Sequence, residues 1–303
     1  MRRPALGFLA VLTLPGAAAA ADLDYGVLRG PEYEESYASS TIDWSGVYVG
    51  GHGGYSSGAF GFRNTFQPIV ANMLRSTVVE NDMSASTLLQ AHTDRQGGST
   101  FGGFAGYNVQ FDDIVLGVEV DYTRAGLIGA TTDSIRRYMT TPSDGYLTHV
   151  NLSGLAGTKI EDYGTIRARA GYALGNFLPF VTGGLAIGRA RITDNVAVQT
   201  YGYDQAAYKA NIGLDASKQT YVNHYGYYSF DQANPAAGTP FNPEFFGRTK
   251  TKVVGGVALG TGLEYAITSN VLLRGEYQYV YFNDFDGHKL NLNTVRGGAA
   301  VKF

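Results

Sequence analysis

The chain has 303 residues, of which 16 % are charged, with 41 Gly, no Cys and a formal net charge of −3. Soluble domains carry about 25 % charged residues and about 7 % Gly, so this composition argues against a soluble helical enzyme. The lack of Cys excludes disulfides, thiolate catalysis and zinc held by cysteines.

The first twenty residues have the pattern of a secretory signal peptide. A pair of arginines precedes an apolar run over 5–14, and small residues follow, so we expect cleavage after Ala20. The apolar run is far shorter than the ~20 residues that a spanning helix needs. Residues 21–42 are polar and acidic, which predicts a flexible lead-in to the folded chain. The acidic mature chain is an unfavourable partner for nucleic acid.

From Trp44 onward the sequence alternates apolar and small or polar residues with a period of two, which predicts β-strands. In 271–282, Leu273 and Tyr277 share one face while Arg274 and Glu276 share the other. Eight such strands are predicted, near 47–55, 101–109, 116–122, 165–174, 181–187, 257–265, 271–282 and 295–303.

The connections between these strands differ at the two ends of the array. Tight turns are predicted at 112–113, 175–176 and 269–270, whereas the other connections are long and polar: 61–96, 127–161, 192–249 and 284–293. This asymmetry is typical of outer-membrane barrels. The sequence therefore predicts an all-β fold, an integral outer-membrane eight-stranded antiparallel up-and-down β-barrel over 43–303 with an acidic periplasmic lead-in. Segments 77–80 and 84–89 are compatible with a further hairpin within 63–95, so the number of strands is left open.

Two other folds produce similar patterns. A secreted soluble barrel such as a lipocalin also has about eight alternating strands. Here the second face of each strand is built from Gly, Ala and a few charges, which is too small for a solvent-covered exterior. The uncharged segment 170–188 is long enough for a helix, but five Gly and Pro179 favour a hairpin.

Charged residues lie on the small-residue face of the predicted strands. An arginine turned toward lipid at mid-depth costs about 2–4 kcal/mol, so these side chains are expected to point into the barrel. There they would form an ion-pair network, or alternatively a selectivity filter. The predicted lumen network consists of Glu119, Asp121, Arg167, Arg169, Glu264, Arg274, Glu276, Arg296 and Lys302.

The predicted lumen lining is rich in glycine. An eight-stranded barrel holds little more than its own side chains. A lining this lean leaves open a water-filled cavity or a narrow ion path. The glycines predicted to face inward are Gly50, Gly54, Gly102, Gly106, Gly184, Gly188, Gly256, Gly260 and Gly262.

Several segments resemble one family. Residues 44–51 read Trp-Ser-Gly-Val-Tyr-Val-Gly-Gly, 167–172 read Arg-Ala-Arg-Ala-Gly-Tyr, and 262–265 read Gly-Leu-Glu-Tyr. Together they resemble the alphaproteobacterial small outer-membrane proteins, a surface-antigen or porin-like family with an OmpA-type barrel. The resemblance implies lipid and lipopolysaccharide as surroundings, no cofactor, and an aromatic carboxy-terminal signature at Phe303 that the barrel-assembly machinery reads.

Catalytic and binding motifs are sparse. No Gly-x-Ser-x-Gly elbow surrounds a serine, and His92, His149 and His224 fall in predicted loops, so no catalytic or metal-binding residue is predicted. The tyrosine-rich 192–249 segment either binds a surface ligand or packs its rings against one another. The predicted function is non-catalytic, contributing to envelope integrity and surface presentation, and the alternative is a narrow porin-like channel for small solutes.

Overall fold

The computed structural model describes residues 42–303, except for the side chain of Asp284. The predicted signal peptide, 1–20, and all but the last residue of the predicted lead-in, 21–42, lie outside the described residues. Within the described part, no helix is both long enough and apolar enough to cross a membrane.

Antiparallel strands form most of the described chain. In chain order they are β1 Gly46–Gly61, β2 Asp94–Phe111, β3 Ile114–Thr140, β4 Tyr146–Tyr172, β5 Phe177–Asp204, β6 His224–Tyr225, β7 Tyr227–Ser229, β8 Thr239–Pro240, β9 Glu244–Ala266, β10 Val271–Phe285 and β11 His288–Lys302.

The eight long strands form a ring. Their order is β4-β3-β2-β1-β11-β10-β9-β5, and the additional pairing of β4 with β5 joins the two ends of this order. Short turns connect β2 to β3 and β10 to β11, and Asp112 adopts a positive φ of 51° in the first of these turns. The predicted all-β, eight-stranded antiparallel architecture is confirmed.

Each ring strand turns alternate side chains outward and inward, because successive residues of a strand point to opposite faces. On β3, Val118 and Val120 are exposed, whereas Glu119 and Asp121 are buried. On β10, Leu273 is exposed and Arg274 is buried. The exposed face is therefore apolar and the inner face polar over this part of the ring.

Half of the ring is much taller than the sequence predicts. The expected loop at 127–161 is mostly strand, so this prediction is wrong. The expected loop at 192–249 begins and ends in strand, so its bounds are corrected to a long connection over 205–243. β3 and β4 continue to a short turn at 141–145, and β5 continues to Asp204. We call the upper parts of these strands the outer wall, comprising residues 125–140 of β3, 146–161 of β4, 189–204 of β5 and 244–254 of β9.

The prediction of a long connection at 284–293 is also wrong. β10 ends at Phe285 and β11 begins at His288, so Asp286 and Gly287 make the turn between them. Both residues have positive φ values, 61° and 85°, which suit a two-residue hairpin turn.

Residues 62–93, which we call the inner cap, are helical instead of forming the further hairpin that the sequence left open. They contain α1 Gln67–Met73, α2 Val78–Met83 and a 3₁₀ helix at Ala85–Thr87. The Thr77 side chain caps α2 by accepting from the Glu80 backbone N–H. Apolar residues of the cap pack against the inner face of the outer wall in one cluster that includes Val70, Leu74, Val150, Leu152, Val196 and Val198.

The interior of the ring is layered along its axis. A small apolar cluster that includes Trp44, Tyr48, Phe104 and Leu272 lies at the end with the β2–β3, β4–β5 and β9–β10 turns. A larger apolar cluster of the inner cap and outer wall lies at the other end. The segment between β5 and β9 adds α3 Gln205–Asn211 and 3₁₀ helices at Ala216–Lys218 and Pro235–Ala237.

Candidate functional site

Buried charged side chains occupy the interior between the two apolar clusters. The register places Glu119 of β3 directly opposite Arg167 of β4. It likewise places Glu264 of β9 opposite Arg274 of β10. Opposite charges on directly facing residues of paired strands stabilise the pairing.

Arg274 is the centre of the lower half of this group. Its Nε lies 2.7 Å from Oε1 of Glu264, and its terminal nitrogens lie 2.6 Å from carboxylate oxygens of Glu264 and Glu119. Arg169 also pairs with Glu264. Two guanidinium groups therefore share one carboxylate, and one of them reaches across to β3.

Arg167 and Arg296 form the upper half. Arg167 pairs with both Glu119 and Glu276. Arg296 donates to Glu276 at 2.9 Å and to Asp121 at 2.8 Å. We call these eight residues the lumen network: Glu119, Asp121, Arg167, Arg169, Glu264, Arg274, Glu276 and Arg296.

His52 joins the network although the sequence analysis did not assign it there. Its Nε2 lies 3.1 Å from Arg296 and 3.1 Å from Asp121. The signal for this position is its phase, because on β1 His52 falls two residues from both Gly50 and Gly54, which were predicted to face inward.

Aromatic rings enclose the lower half of the network. The guanidinium carbon of Arg274 lies 4.0 Å from the ring centre of Phe104, and that of Arg169 lies 4.2 Å from the ring centre of Phe180. Stacking of guanidinium on aromatic faces stabilises the charge when water is excluded. The Tyr48 hydroxyl donates to Glu119 at 2.9 Å. Sequence reasoning placed none of these rings in the lumen.

Lys302 is the predicted network member that the structure places elsewhere. It lies near the end of β11, and its Nζ donates to the backbone carbonyl of Asp43. Its inward phase was predicted correctly, but its position at the strand end keeps it away from the carboxylates. The assignment of Lys302 to the network is therefore corrected.

The inward glycines do not leave open space, because large side chains from neighbouring strands fill it. A Cβ added to Gly106 would lie 2.3 Å from the Tyr48 ring, and one added to Gly262 would lie 2.7 Å from the Phe180 ring. These glycines are required by the close approach of aromatic rings. At both positions, an aromatic ring from a neighbouring strand fills the space that the missing side chain leaves.

A second polar cluster is buried under the outer wall. Thr158 Oγ1 lies 2.7 Å from His288 Nδ1, and His288 Nε2 lies 2.9 Å from Asp194 Oδ1. Arg248 binds the other Asp194 oxygen at 2.6 Å. The order hydroxyl, imidazole, carboxylate is that of a hydrolytic triad.

This cluster is closed to a substrate. Thr158 is 2 % exposed, and His288 and Asp194 are completely buried. Phe62 and Phe285 lie against the imidazole, with ring centres 5.3 and 6.1 Å away. The cluster ties β4, β5 and β11 together, and Arg248 from β9 completes it.

The tyrosines predicted in the 192–249 segment pack mainly against other rings. Tyr203 lies 5.6 Å from Tyr208 and 5.8 Å from Phe230, and Tyr227 lies 5.1 Å from Phe230, between ring centres. Tyr221 and Tyr228 stay exposed. Over residues 42–303, no group of three or more His, Asp or Glu side chains is arranged to hold a metal ion.

Comparison with known proteins gives consistent matches over most of the chain. The model of the family described as "Outer membrane protein beta-barrel domain" matches residues 6–303. The 31 kDa outer-membrane immunogenic protein of Brucella melitensis is 29 % identical over 300 residues, covering 95 % of this chain and 94 % of the relative. The 22 kDa outer membrane protein of Rhizobium leguminosarum is 25 % identical over 278 residues, covering 89 % and 83 %.

Solved structures of other barrels give distant matches. The outer membrane protein OprG from Pseudomonas aeruginosa aligns at 11 % identity over 86 % of this chain and 96 % of that chain, with a TM-score of 0.34. This score is too low to support an inference about the present chain.

Proposed function

Since the chain belongs to the outer-membrane β-barrel protein family and resides in the bacterial outer membrane, we propose that it is a closed, non-catalytic barrel. In this proposal the protein reinforces the envelope and presents the outer wall at the cell surface. The family resemblance read from the sequence is confirmed. The wall and the long β5–β9 connection are assigned to the external side, because long connections of such barrels face outward and short turns face the periplasm.

One contact carries the proposal of a closed barrel. Arg274 on β10 and Glu119 on β3 are 2.6 Å apart between a guanidinium nitrogen and a carboxylate oxygen. In the ring these two strands are separated by three strands in either direction. The pair therefore crosses the full width of the interior, and the aromatic rings of Phe104 and Phe180 lie against its arginine.

The competing function is passive passage of small solutes. A solute would have to pass the paired charges of the lumen network and then the apolar cluster under the inner cap. Side chains such as Phe60 and Phe282 are completely buried in that cluster. Passage would require both layers to open together.

Envelope reinforcement is tested in the native host. We expect a strain lacking the protein to become sensitive to detergent, and expect the wild-type chain to restore resistance. A variant in which residues 206–243 are replaced by a short turn should also restore resistance while losing surface labelling of that segment. Heat-modifiable migration on gels would verify that each variant is folded. Unchanged detergent resistance in the deletion strain would contradict the proposal.

Four further assignments belong to this proposal. Residues 1–20 act as a signal peptide, and 21–42 act as a periplasmic lead-in. Phe303 acts as the assembly signature, which is supported by its 77 % exposure and its backbone hydrogen bond to the Val47 carbonyl at 2.9 Å. The exposed rings Tyr221 and Tyr228 are the part of the 192–249 segment that is free to contact an external ligand.

A further inference from the structure

On the outward face of β3, β4 and β5, the apolar surface gives way to charged residues, with the exposed Ile128 opposite Lys159 as an apolar exception. One row across these strands consists of Tyr122, Gly164 and Ile187. Tyr122 and Ile187 are 54 % and 58 % exposed, as expected of side chains that contact lipid. Aromatic residues mark the interface between hydrocarbon and water in such barrels.

The next rows are charged. Arg124 of β3, Asp162 of β4 and Arg189 of β5 share the row directly above. Lys159 of β4 and Arg191 of β5 face each other in the following row. Four cations therefore lie within two rows of the apolar boundary, at the height where lipid headgroups begin.

A groove is built into the wall at these rows. It has a volume of about 280 Å³ and is lined by Tyr122, Arg124, Gly126, Lys159, Glu161, Asp162 and Arg189. The register shifts between Arg124 and Leu127 on β3 and between Ile160 and Asp162 on β4. Bulges of this kind bend a strand and redirect its side chains. Two bulges at one height therefore shape the groove.

The groove keeps an excess of positive charge. The two carboxylates of the groove both form ion pairs with Arg189, whose nitrogens lie 3.0 Å from Glu161 and 2.6 Å from Asp162. Tyr122 also donates to Asp162, at 3.3 Å. Among the described residues 42–303, no ion pair involves Arg124 or Lys159 of the groove, or Arg191, which lies beside the groove opposite Lys159. Arg124 and Arg191 are exposed and Lys159 is half-buried.

The opposite half of the barrel has a different boundary. There the register aligns Ser57, Asn293 and Tyr279 across β1, β11 and β10. The Tyr277 hydroxyl donates to Asn293 at 2.6 Å, so this boundary is formed by neutral hydrogen-bonding groups. The cations of the first half are therefore a local feature of one face.

We propose that this basic groove binds the phosphate groups of the anionic glycolipid of the outer leaflet. Arg and Lys donate charge-assisted hydrogen bonds to phosphate oxygens. Acyl chains of the same molecule would lie against Ile166, Leu185 and Ile187, which are exposed below the groove. The inference rests on the proposed function, because it requires the outer wall to face away from the cell.

The test compares two charge-matched triple variants in a detergent-solubilised, folded form. The first is Arg124→Gln/Lys159→Gln/Arg191→Gln. The control, Arg136→Gln/Arg137→Gln/Lys218→Gln, removes three exposed cations away from the groove. Native mass spectrometry would titrate each protein with diphosphorylated lipid A, with dephosphorylated lipid A, and with inorganic phosphate as competitor.

We expect the wild type and the control to bind diphosphorylated lipid A at least tenfold more tightly than the dephosphorylated form. The groove variant should lose at least tenfold in affinity for the diphosphorylated form only. Equal binding by the groove variant and wild type would overturn the proposal, as would equal binding of both lipids by the wild type. Full displacement by equimolar inorganic phosphate would overturn the assignment to a lipid headgroup. Failure of the proposed function would instead appear as unchanged detergent resistance in the deletion strain, which distinguishes the two outcomes.

Discussion

Arg274 and Glu119 link opposite sides of the barrel through a contact of 2.6 Å between guanidinium and carboxylate. Both side chains are almost completely buried, with 2 % and 0 % of the side chain exposed. Two ions this deeply buried are tolerated only when paired and hydrogen-bonded. Glu264, Arg167 and Tyr48 supply those further contacts.

Replacing Arg274 with Leu should strongly lower stability. Glu119 keeps Arg167 and Glu264 keeps Arg169, but the buried network is left with one uncompensated negative charge, which costs about 3–5 kcal/mol when water cannot reach it. The measurement is urea unfolding in lipid vesicles, followed by the fluorescence of Trp44, the single tryptophan. Arg189→Leu is the control, because this arginine is 53 % exposed and surface pairs contribute little. An unchanged midpoint for Arg274→Leu would show that the buried pairs do not stabilise the barrel.

Gly106→Ala should destabilise the barrel by displacing Tyr48. The new methyl group would overlap the tyrosine ring and disturb its hydrogen bond to Glu119. Overpacking of this kind costs about 1–3 kcal/mol. Gly275→Ala is a matched control, since no atom lies within 4 Å of its added Cβ. Equal unfolding midpoints for the two variants would argue against a tightly filled lumen.

Asp194→Asn should loosen the outer wall without affecting the lower barrel. The change removes the charge that Arg248 and His288 share. Leaving such buried partners poorly satisfied costs about 1–3 kcal/mol. Hydrogen exchange should rise in 189–204 and 244–254, while 114–122 stays protected. Glu244→Gln, at an exposed position, is the control. If Asp194→Asn and Glu244→Gln showed the same exchange rates in 189–204 and 244–254, the cluster would not stabilise the outer wall.

The tip of the outer wall should weaken at acidic pH. His149 stacks on Tyr201 with ring centres 4.8 Å apart, and burial lowers the pKa of His149 below its ordinary value of 6.5. The folded state therefore disfavours the imidazolium, so stability is retained above pH 6.5 and falls as the pH drops below that value. Hydrogen exchange in 147–151 should be faster at pH 5 than at pH 7.5, after correction for intrinsic rates.

His149→Gln should remove this dependence on pH, because the amide does not titrate. If the variant and the wild type show the same acceleration at pH 5, then His149 is not its cause.

The sequence predicts the membrane part of the barrel well because lipid forces a strict alternation there. Leu116, Val118 and Val120 face outward and Glu119 and Asp121 inward, as the period of two requires. Above the boundary water lies outside, and the constraint is lost. Thr132, Asp133 and Ser134 are all polar, yet they continue β3. This is why the outer wall was predicted as loops.

The site shows the same limit. Periodicity fixes which face of a strand a residue occupies, and the inward phase of Arg274 and Lys302 follows from it. Periodicity does not fix the position along the barrel axis that the end of the side chain reaches. Lys302 therefore reaches the carbonyl of Asp43 instead of a carboxylate. Phase alone turns His52 inward, but its contacts with Arg296 and Asp121 depend on the register between strands that are distant in sequence.

Single-channel recording in planar bilayers tests the closed lumen most directly. We expect the folded wild-type protein to produce no current steps above leak. Glu119→Ala/Arg274→Ala removes the pair that spans the interior without leaving a net charge, so it is the variant in which steps should first arise. Steady conductance steps from the wild-type protein would contradict a barrel closed by its lumen network.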